Sequence, residues 1–490
     1  MKILFAIPKE KNLFGDDPAL PEGTEGIGNR PHLGIAYLAS FMKQHGISVG
    51  IYDDTIYNST QKLGEMVNDF QPDIIGVTAF SYSYKYLIEL IHKIKTISQK
   101  PIVVGGPHVS ATKDEILKNS PADFAVKGEG EFTLLELLQH LQDDKPDFSA
   151  IKGLIWRSGN DIIENADREF ITDVDSLPCP DFEAFPVEKY SNFQSKRLPV
   201  ISSRGCPYAC TFCSVRLSMG RGFRARTPEN FVAELKHWYD KGWTNFEFCD
   251  DCYSADMKRV TEISDLIIKN GLNLKYEIHT GIRVDRVSPK LLGKLKESGC
   301  ILVNFGMESG NEQILRNIRK NINLDQIRKA VAWANEAGIP NAGHFVIGHQ
   351  GETFETAMDS IRFAKTLPTR FVSFYNLIPY PGTEVFEWAK KNGRFLVPLD
   401  NYLQNISYRD NVPVFETKEF TAEQRRYVMK KGFALYERKF FEFRLGKTLG
   451  LLAYMLARIG PVAKLGRSFI SNNKIGHNLY FFLSRTSRNQ

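Results

Sequence analysis

Short apolar runs alternate with amphipathic stretches through roughly the first 140 residues. Lys2 to Ile7, Ser48 to Tyr52, Ile74 to Thr78, Ile102 to Val104 and Phe124 to Val126 are apolar and rich in β-branched residues, the composition of strands buried on both faces. Between them, Gly34 to His45, Tyr86 to Ser98 and Lys113 to Asn119 carry apolar residues at helical spacing. This alternation predicts an α/β fold opening with a doubly wound, Rossmann-like domain over residues 1–140, whose ligand lies beyond the carboxyl ends of its strands. Those ends carry Thr78 and Ser81, then Gly105, Gly106, Pro107 and His108, then Gly128, Glu129, Gly130 and Glu131. Glycines there permit close backbone approach to a ligand, although such turns also serve chain reversal alone.

Residues 141–196 break the pattern. Ile151 to Trp156, Asp161 to Glu164 and Glu169 to Asp173 predict small strands, and the prolines around Cys179 exclude regular structure, so this stretch reads as a hairpin and a connecting strap. From residue 197 the alternation resumes at a longer period. Strands are predicted at Pro199 to Ser203, Asn245 to Cys249, Lys275 to Thr280, Leu302 to Met307, His344 to Ile347 and Phe371 to Asn376. Helices are predicted at Pro228 to Lys241, Ala255 to Asn270, Pro289 to Ser298, Leu324 to Ala337 and Glu352 to Thr366. Six strands so spaced predict a partial (β/α)6 barrel of TIM type over residues 197–400, with its chemistry at the carboxyl ends of the strands. A helical extension over 401–490 follows, in which Ala422 to Gly446 is rich in Arg, Lys, Phe and Tyr, Leu449 to Ala457 is apolar, and Phe469 to Leu483 is basic and aromatic.

Charge sharpens the picture of that extension. The net +6 of the 490-residue chain is concentrated in residues 421–490, where fourteen Lys or Arg face three Glu, so the rest of the chain is net negative. That distribution argues against a nucleic-acid-binding body and makes the tail a candidate for an anionic surface. Two readings stand: an amphipathic segment lying on the inner face of a membrane, or helices covering the barrel with their cationic ends snorkelling outward. No apolar stretch is long enough to span a membrane without charges, and the apolar run at the N-terminus is too short for a signal peptide. Seven cysteines, an odd number with none before Cys179, indicate a reducing, cytoplasmic compartment and a metal site rather than a disulfide framework.

The metal site is Cys206, Cys210 and Cys213, spaced C-x3-C-x2-C directly after the first barrel strand. Thiolates suit zinc or an iron–sulfur cluster, and three of them are one ligand short of a closed zinc site. The same spacing also fits one face of a helix, where the thiols would be small buried hydrophobes, but Gly205 and Pro207 favour a loop. Further polar residues fall on the same rim: Asp250 and Asp251 after the second strand, Arg283 after the third, Glu308 and Ser309 after the fourth, Gly348 and His349 after the fifth. Cys249 and Cys252 form a C-x2-C pair without a companion pair, so packing is the better reading for them.

Cysteine spacing, barrel pattern and rim position together resemble the radical S-adenosylmethionine (SAM) superfamily. Residues 1–140 resemble the cobalamin-binding domain joined to it in one branch, through His32 to Ala39, Gly105 to Ser110 and Gly128 to Glu131. The resemblance implies that Cys206, Cys210 and Cys213 bind a [4Fe-4S] cluster whose open iron chelates SAM. It places Phe212, Asp250, Arg283, Glu308, Ser309 and Gly348 around that SAM. It places Thr78, Ser81, Gly105, Gly106, Pro107, His108, Gly128, Glu129, Gly130 and Glu131 around cobalamin. The D-x-H-x-x-G motif that supplies a cobalt-ligating histidine in another cobalamin family is absent, so His108 is expected to line the pocket instead. His349 and Gln350 replace residues that are commonly Leu and Pro in relatives, which leaves His349 as a polar group near substrate or a structural one.

The implied activity is C-methylation at an unactivated carbon of a small-molecule or lipid-like substrate: one SAM methylates cobalamin, and a second yields the radical that activates the substrate. Electrons would come from a low-potential donor such as ferredoxin or flavodoxin. Oxidative cyclisation on the same cofactors, as in the anaerobic cyclase of chlorophyll biosynthesis, is the first rival. A first domain that has lost cobalamin and serves as a docking module is the second. Methylthiotransfer is disfavoured because its N-terminal cluster cysteines are missing.

Overall fold

A computed structural model describes residues 1–9, 30–190, 197–399, 402–405 and 412–458. The first sheet has seven strands in the order β2-β1-β3-β4-β5-β6-β7. Five of these are parallel: β1 (Lys2–Ile7), β2 (Ser48–Asp53), β3 (Ile74–Thr78), β4 (Ile102–Gly105) and β5 (Phe124–Val126). Apolar side chains cover both faces of β1 and β3 because helices pack on each side, which is why the runs are continuous rather than alternating. The helices are α1 (Leu33–Gln44), α2 (Thr60–Phe70), α3 (Tyr84–Ile97), α4 (Pro107–Thr112), α5 (Glu115–Asn119) and α6 (Glu131–His140).

Three local expectations change. The stretch Lys113 to Asn119 does not open as one helix: Lys113 adopts a positive φ of 58°, which ends α4 before α5 begins. The hairpin of β6 (Leu154–Ser158) and β7 (Asp161–Glu164) is not an isolated strap, since β6 pairs antiparallel with β5 and extends the first sheet. No strand forms over residues 169–173.

The second sheet holds six parallel strands in the order β13-β12-β11-β10-β9-β8. They are β8 (Arg197–Val200), β9 (Asn245–Phe248), β10 (Lys275–Ile282), β11 (Cys300–Glu308), β12 (Asn341–Ile347) and β13 (Phe371–Asn376). Helices α7 (Pro228–Asp240), α8 (Met257–Lys269), α9 (Pro289–Glu297), α10 (Leu324–Glu336) and α11 (Phe354–Thr366) intervene, capped by Thr227, Asp256, Ser288, Asn323 and Thr353. The β11–β12 register shifts between Gly306 and Glu308, and Glu308 takes a positive φ of 64° there. A left-handed glutamate is uncommon, and such conformations cluster at functional sites.

Two further helices, α12 (Ala422–Leu445) and α13 (Lys447–Ala457), close the described chain. α12 packs against β13 and α11, burying Arg425, Val428 and Met429, so this part of the tail covers the barrel. α13 folds back on α12 and leaves Leu449, Leu452, Met455 and Leu456 exposed. Among the described residues no helix is long and apolar enough to cross a membrane. The basic-aromatic stretch Phe469 to Leu483 lies outside the described residues.

Candidate functional site

The thiol loop after β8 is irregular, so the helix-face alternative for Cys206, Cys210 and Cys213 is not the one the chain adopts. The loop is pinned from several sides. Thr211 donates its amide to the Ile318 carbonyl and accepts from the Val385 amide, each at 3.1 Å. The Tyr208 ring lies under the Arg283 guanidinium at 3.6 Å, and Arg286 Nε donates to the Tyr208 hydroxyl at 2.8 Å. All three thiols are free and partly buried. A hydrogen bond with the Cys252 thiol lowers the Cys206 thiol, while burial pushes Cys210 up and Cys213 up to about 12. Bound iron would reverse that preference by holding the sulfurs as thiolates. Three thiols on one irregular loop are one ligand short of a closed single-ion site, the donor set of an iron–sulfur cluster with one open iron.

Around this loop the rim residues divide. Glu308 and Lys320 form a buried pair at 2.8 Å; burial pushes the Glu308 carboxyl up, and the Lys320 ammonium more than offsets it, leaving it below the usual range. Phe212 stands 5.3 Å from the His349 ring, centre to centre. Gly348 has φ +111°, and a Cβ there would meet the Arg425 guanidinium of α12, so only glycine fits. Ser309 is buried and meets Ser360 Oγ of α11 at 3.3 Å.

Asp250 and Arg283 do not face an open site. Asp250 is sealed beneath the loop, accepting from the Ser202 amide at 3.1 Å and the Ser202 hydroxyl at 2.7 Å. Arg283 donates to Asp285 Oδ1 at 2.9 Å and to the Lys320 carbonyl at 2.8 Å, which makes it a clamp on the cysteine loop. The sequence places both at the rim; the partners that engage them come from the fold.

A cavity of about 520 Å³ opens beyond the carboxyl ends of β1, β3, β4 and β5. Thr78, Ser81, Gly105, Gly106, Pro107, Gly128, Glu129, Gly130 and Glu131 all line it. Gly106, at φ +119°, lies so close to Ala79 that a Cβ would come within 2.8 Å of its carbonyl oxygen. The far wall comes from the other domain: Ser214, Val215, Ser218 and Met219 from just after Cys213, with Cys249 and Asp251 from the end of β9. Burial pushes the Asp251 carboxyl up to about 6, and its Oδ2 accepts the Gly205 amide at 3.0 Å.

His108 corrects the expectation made for it. It is fully buried beside Tyr84, with Nδ1 3.0 Å from the Ser81 hydroxyl, and it does not line the cavity. The histidine that does is His32, which caps α1 by accepting the Ile35 amide on Nδ1 at 3.1 Å. Glu129 and Glu131 line the cavity yet are engaged across the domain boundary. Arg204 donates to Glu129 at 2.9 Å and to Glu131 at 2.7 Å, and Arg224 donates to Glu129 at 2.8 Å. Sequence reasoning placed Asp251 on the rim and passed over Arg204, Arg224, Lys320 and Arg425. Arg204 stands two residues before Cys206 and could have been noticed by that position; the others have no local signal.

The cavity fits cobalamin in kind: apolar walls and glycine-bearing strand ends that let the backbone approach a large ligand closely. Comparison with known proteins agrees with both halves of the site. Residues 200–364 match the radical SAM superfamily and residues 28–138 match the B12 binding domain. An uncharacterized methyltransferase of Pyrococcus horikoshii is 33% identical over 444 residues, covering 88% of this chain and 92% of that protein. An anaerobic magnesium-protoporphyrin IX monomethyl ester cyclase of Cereibacter sphaeroides is 27% identical over 479 residues, covering 93% of this chain and 75% of that one. Among solved structures, the radical SAM methyltransferase TsrM of Kitasatospora setae, with cobalamin and a [4Fe-4S] cluster bound, superposes with a TM-score of 0.69 at 16% identity, over 89% of this chain and 88% of that one. The chain therefore belongs to the cobalamin-binding radical SAM family, and it is an enzyme that uses a [4Fe-4S] cluster, SAM and cobalamin.

Proposed function

We propose that the enzyme methylates an unactivated carbon of a small-molecule or lipid-like substrate. The observation that carries this reading is the shared chamber. The cobalamin-side cavity is walled by the residues that follow Cys213 and by Asp251, so a substrate seated there lies against the segment that leaves the cluster loop. Bound in place, SAM on the cluster supplies a hydrogen-abstracting radical and cobalamin supplies the methyl group, with electrons from a low-potential donor such as ferredoxin or flavodoxin. The chain's own task is placement. Cys206, Cys210 and Cys213 hold the cluster, Arg283 and Thr211 fix their loop, and the Phe80 and Tyr82 rings, stacked 5.0 Å apart, wall the chamber on the first-domain side. The relative named a methyltransferase is 33% identical against 27% for the one named a cyclase, and the match spans 92% of the former's length against 75% of the latter's, which favours methyl transfer over cyclisation. Anaerobic incubation with methyl-labelled SAM, a reductant and cell extract should yield a labelled product heavier by one methylene. Consumption of SAM adenosyl groups without label in any product would overturn the reading in favour of cyclisation or oxidation.

The α12–α13 pair supports a lipid surface as the place of work. Residues 422–458 hold nine Lys or Arg against three Glu, and α13 exposes Leu449, Leu452, Met455 and Leu456 beside them. Apolar side chains framed by cations match an anionic bilayer surface. A membrane-borne substrate would then reach the enzyme by lateral diffusion.

A further inference from the structure

The cysteine loop is not covered on every side. Pro207 is exposed, and Cys206, Tyr208 and Cys210 are half-buried, so two of the three thiols lie just beneath the surface. Three segments border that face. Residues 283–290 reach it through Arg283, stacked on the Tyr208 ring, and Arg286, which donates to the Tyr208 hydroxyl at 2.8 Å. Residues 316–320 reach it through the Ile318 carbonyl, which accepts the Thr211 amide, and through the Arg319 carbonyl, 4.0 Å from the Cys210 sulfur. Residues 379–385 reach it through the Val385 amide, which donates to the Thr211 carbonyl. Together these segments hold six Lys or Arg against two acids, Asp285 and Glu384. Asp285 is taken by Arg283, and Glu384 by Arg319 at 2.6 Å. Arg286, Lys290, Arg316 and Arg319 are exposed. This gathering of cations runs against the rest of the molecule, because residues 1–420 are net negative. Stability does not account for it: Arg316 meets Gln313 one turn back, Arg319 pairs with a half-exposed glutamate, and such surface contacts contribute little.

We infer that this arginine-rich face is a docking surface for a small acidic protein that carries one electron. The inference rests on the reading that Cys206, Cys210 and Cys213 hold the cluster. Charge complementarity selects an anionic partner, since a patch of one sign on a body of the other steers the encounter and fixes its orientation. What lies beneath selects among anionic partners. The thiol loop holds a centre that must be reduced from outside, and an electron carrier is the partner that gains by meeting the protein there. Such encounters use small, transient interfaces, for which a few exposed cations around a shallow loop suffice. One electron leaves the reduced carrier and enters the oxidised cluster; no bond forms or breaks and no proton moves. Neither residues 283–290 nor residues 316–320 line the cobalamin-side cavity, so a carrier seated on them leaves its wall untouched.

The test separates docking from reduction. Binding of an acidic ferredoxin to the reconstituted holoenzyme is measured by calorimetry at increasing salt, beside iron content and the rates at which reduced ferredoxin and photoreduced deazariboflavin, a small reductant, reduce the cluster. The natural enzyme should bind at low salt and lose affinity as salt rises. Arg316→Gln with Arg319→Gln should weaken binding by ~10-fold or more, flatten its salt dependence and slow reduction by ferredoxin in proportion, while iron content and reduction by deazariboflavin stay as in the natural enzyme. Lys236→Gln with Lys269→Gln makes the same change in net charge near the carboxyl ends of α7 and α8, at the opposite end of the barrel from the loop, and should alter neither binding nor reduction. No binding by the natural enzyme at low salt, unchanged binding in the arginine pair, or an equal loss in the lysine pair would overturn the docking surface. Cys210→Ala leaves the arginines in place and should bind ferredoxin as the natural enzyme does without accepting its electron. A reducible cluster that survived in Cys210→Ala would instead overturn the placement of the cluster, whatever the arginine pair shows.

Discussion

Glu352 concentrates several constraints in one side chain. Its Oε2 accepts two backbone amides at the end of β12, its Oε1 has no partner, and burial pushes its carboxyl up to about 7 although Arg425 lowers it. The sign of the pH effect follows. Below pH 4.5 the carboxyl is neutral folded or unfolded and costs nothing; from there to about pH 7 the unfolded chain ionises first, so stability falls as pH rises; above that the penalty is constant. The gap between 4.5 and about 7 corresponds to about 3 kcal/mol. Glu352→Gln should therefore gain on the natural protein as pH rises from 5 to 8 in denaturant titrations, and a difference that stays constant over that range would refute the assignment. Much of the site is legible at this scale because spacing puts a residue on a rim. Spacing does not say whether its side chain is already engaged: Asp250 and Arg283 stand where expected and are taken up by Ser202 and Asp285. Likewise His108 follows its Gly-Gly-Pro turn as read, and its ring turns inward to Tyr84 and Ser81 because the first turn of α4 points it there.

Elements were legible in proportion to their apolar pattern. A buried parallel strand such as Ile74–Thr78 stands out as expected because helices on both faces demand a continuous apolar run. Helix α2 does not stand out, since it buries only Leu63 and Val67, nor does α6, whose leucines are buried on several sides and so lose the helical period. The tail shows the same limit in reverse, because one composition served two elements with different fates. α12 covers the barrel, whereas α13 presents leucines outward. If that face meets lipid, the protein should co-sediment with vesicles containing phosphatidylglycerol, less so with pure phosphatidylcholine, and lose the association in high salt. Leu452→Glu with Met455→Glu should abolish sedimentation while iron content stays unchanged. Failure of the natural protein to bind such vesicles would refute the reading of α13 as a lipid-facing surface.

At the scale of the whole molecule, the question is how far the two cofactor halves are separable. The sequence presents them as modules, one on each side of a strap, and on that view Cys210→Ala should abolish cluster assembly and turnover yet leave cobalamin binding intact. The ion network at the boundary qualifies the view without cancelling it. Glu129 and Glu131 belong to the cobalamin-side cavity, Arg204 belongs to the strand leading into Cys206, and these three side chains are 3–6% exposed. Replacing a well-matched buried pair by apolar groups can be neutral, but removing one partner strands the other's charge and costs about 3–5 kcal/mol. Cys210 has no part in this network, so its loss should be felt on one side only. Arg204→Met should be felt on both. Glu129 keeps Arg224, whereas Glu131 loses the arginine that pairs with it, so the carboxylate must ionise unpaired in the cavity wall or take up a proton. The expected outcome is a two-sided defect, in which cobalamin retention and thermal stability fall together with iron loading, while Cys210→Ala lowers only the last. Full retention of corrinoid by Arg204→Met, measured by absorbance after gel filtration without oxygen, would show that the boundary network is packing alone and that the halves are as independent as the sequence makes them look.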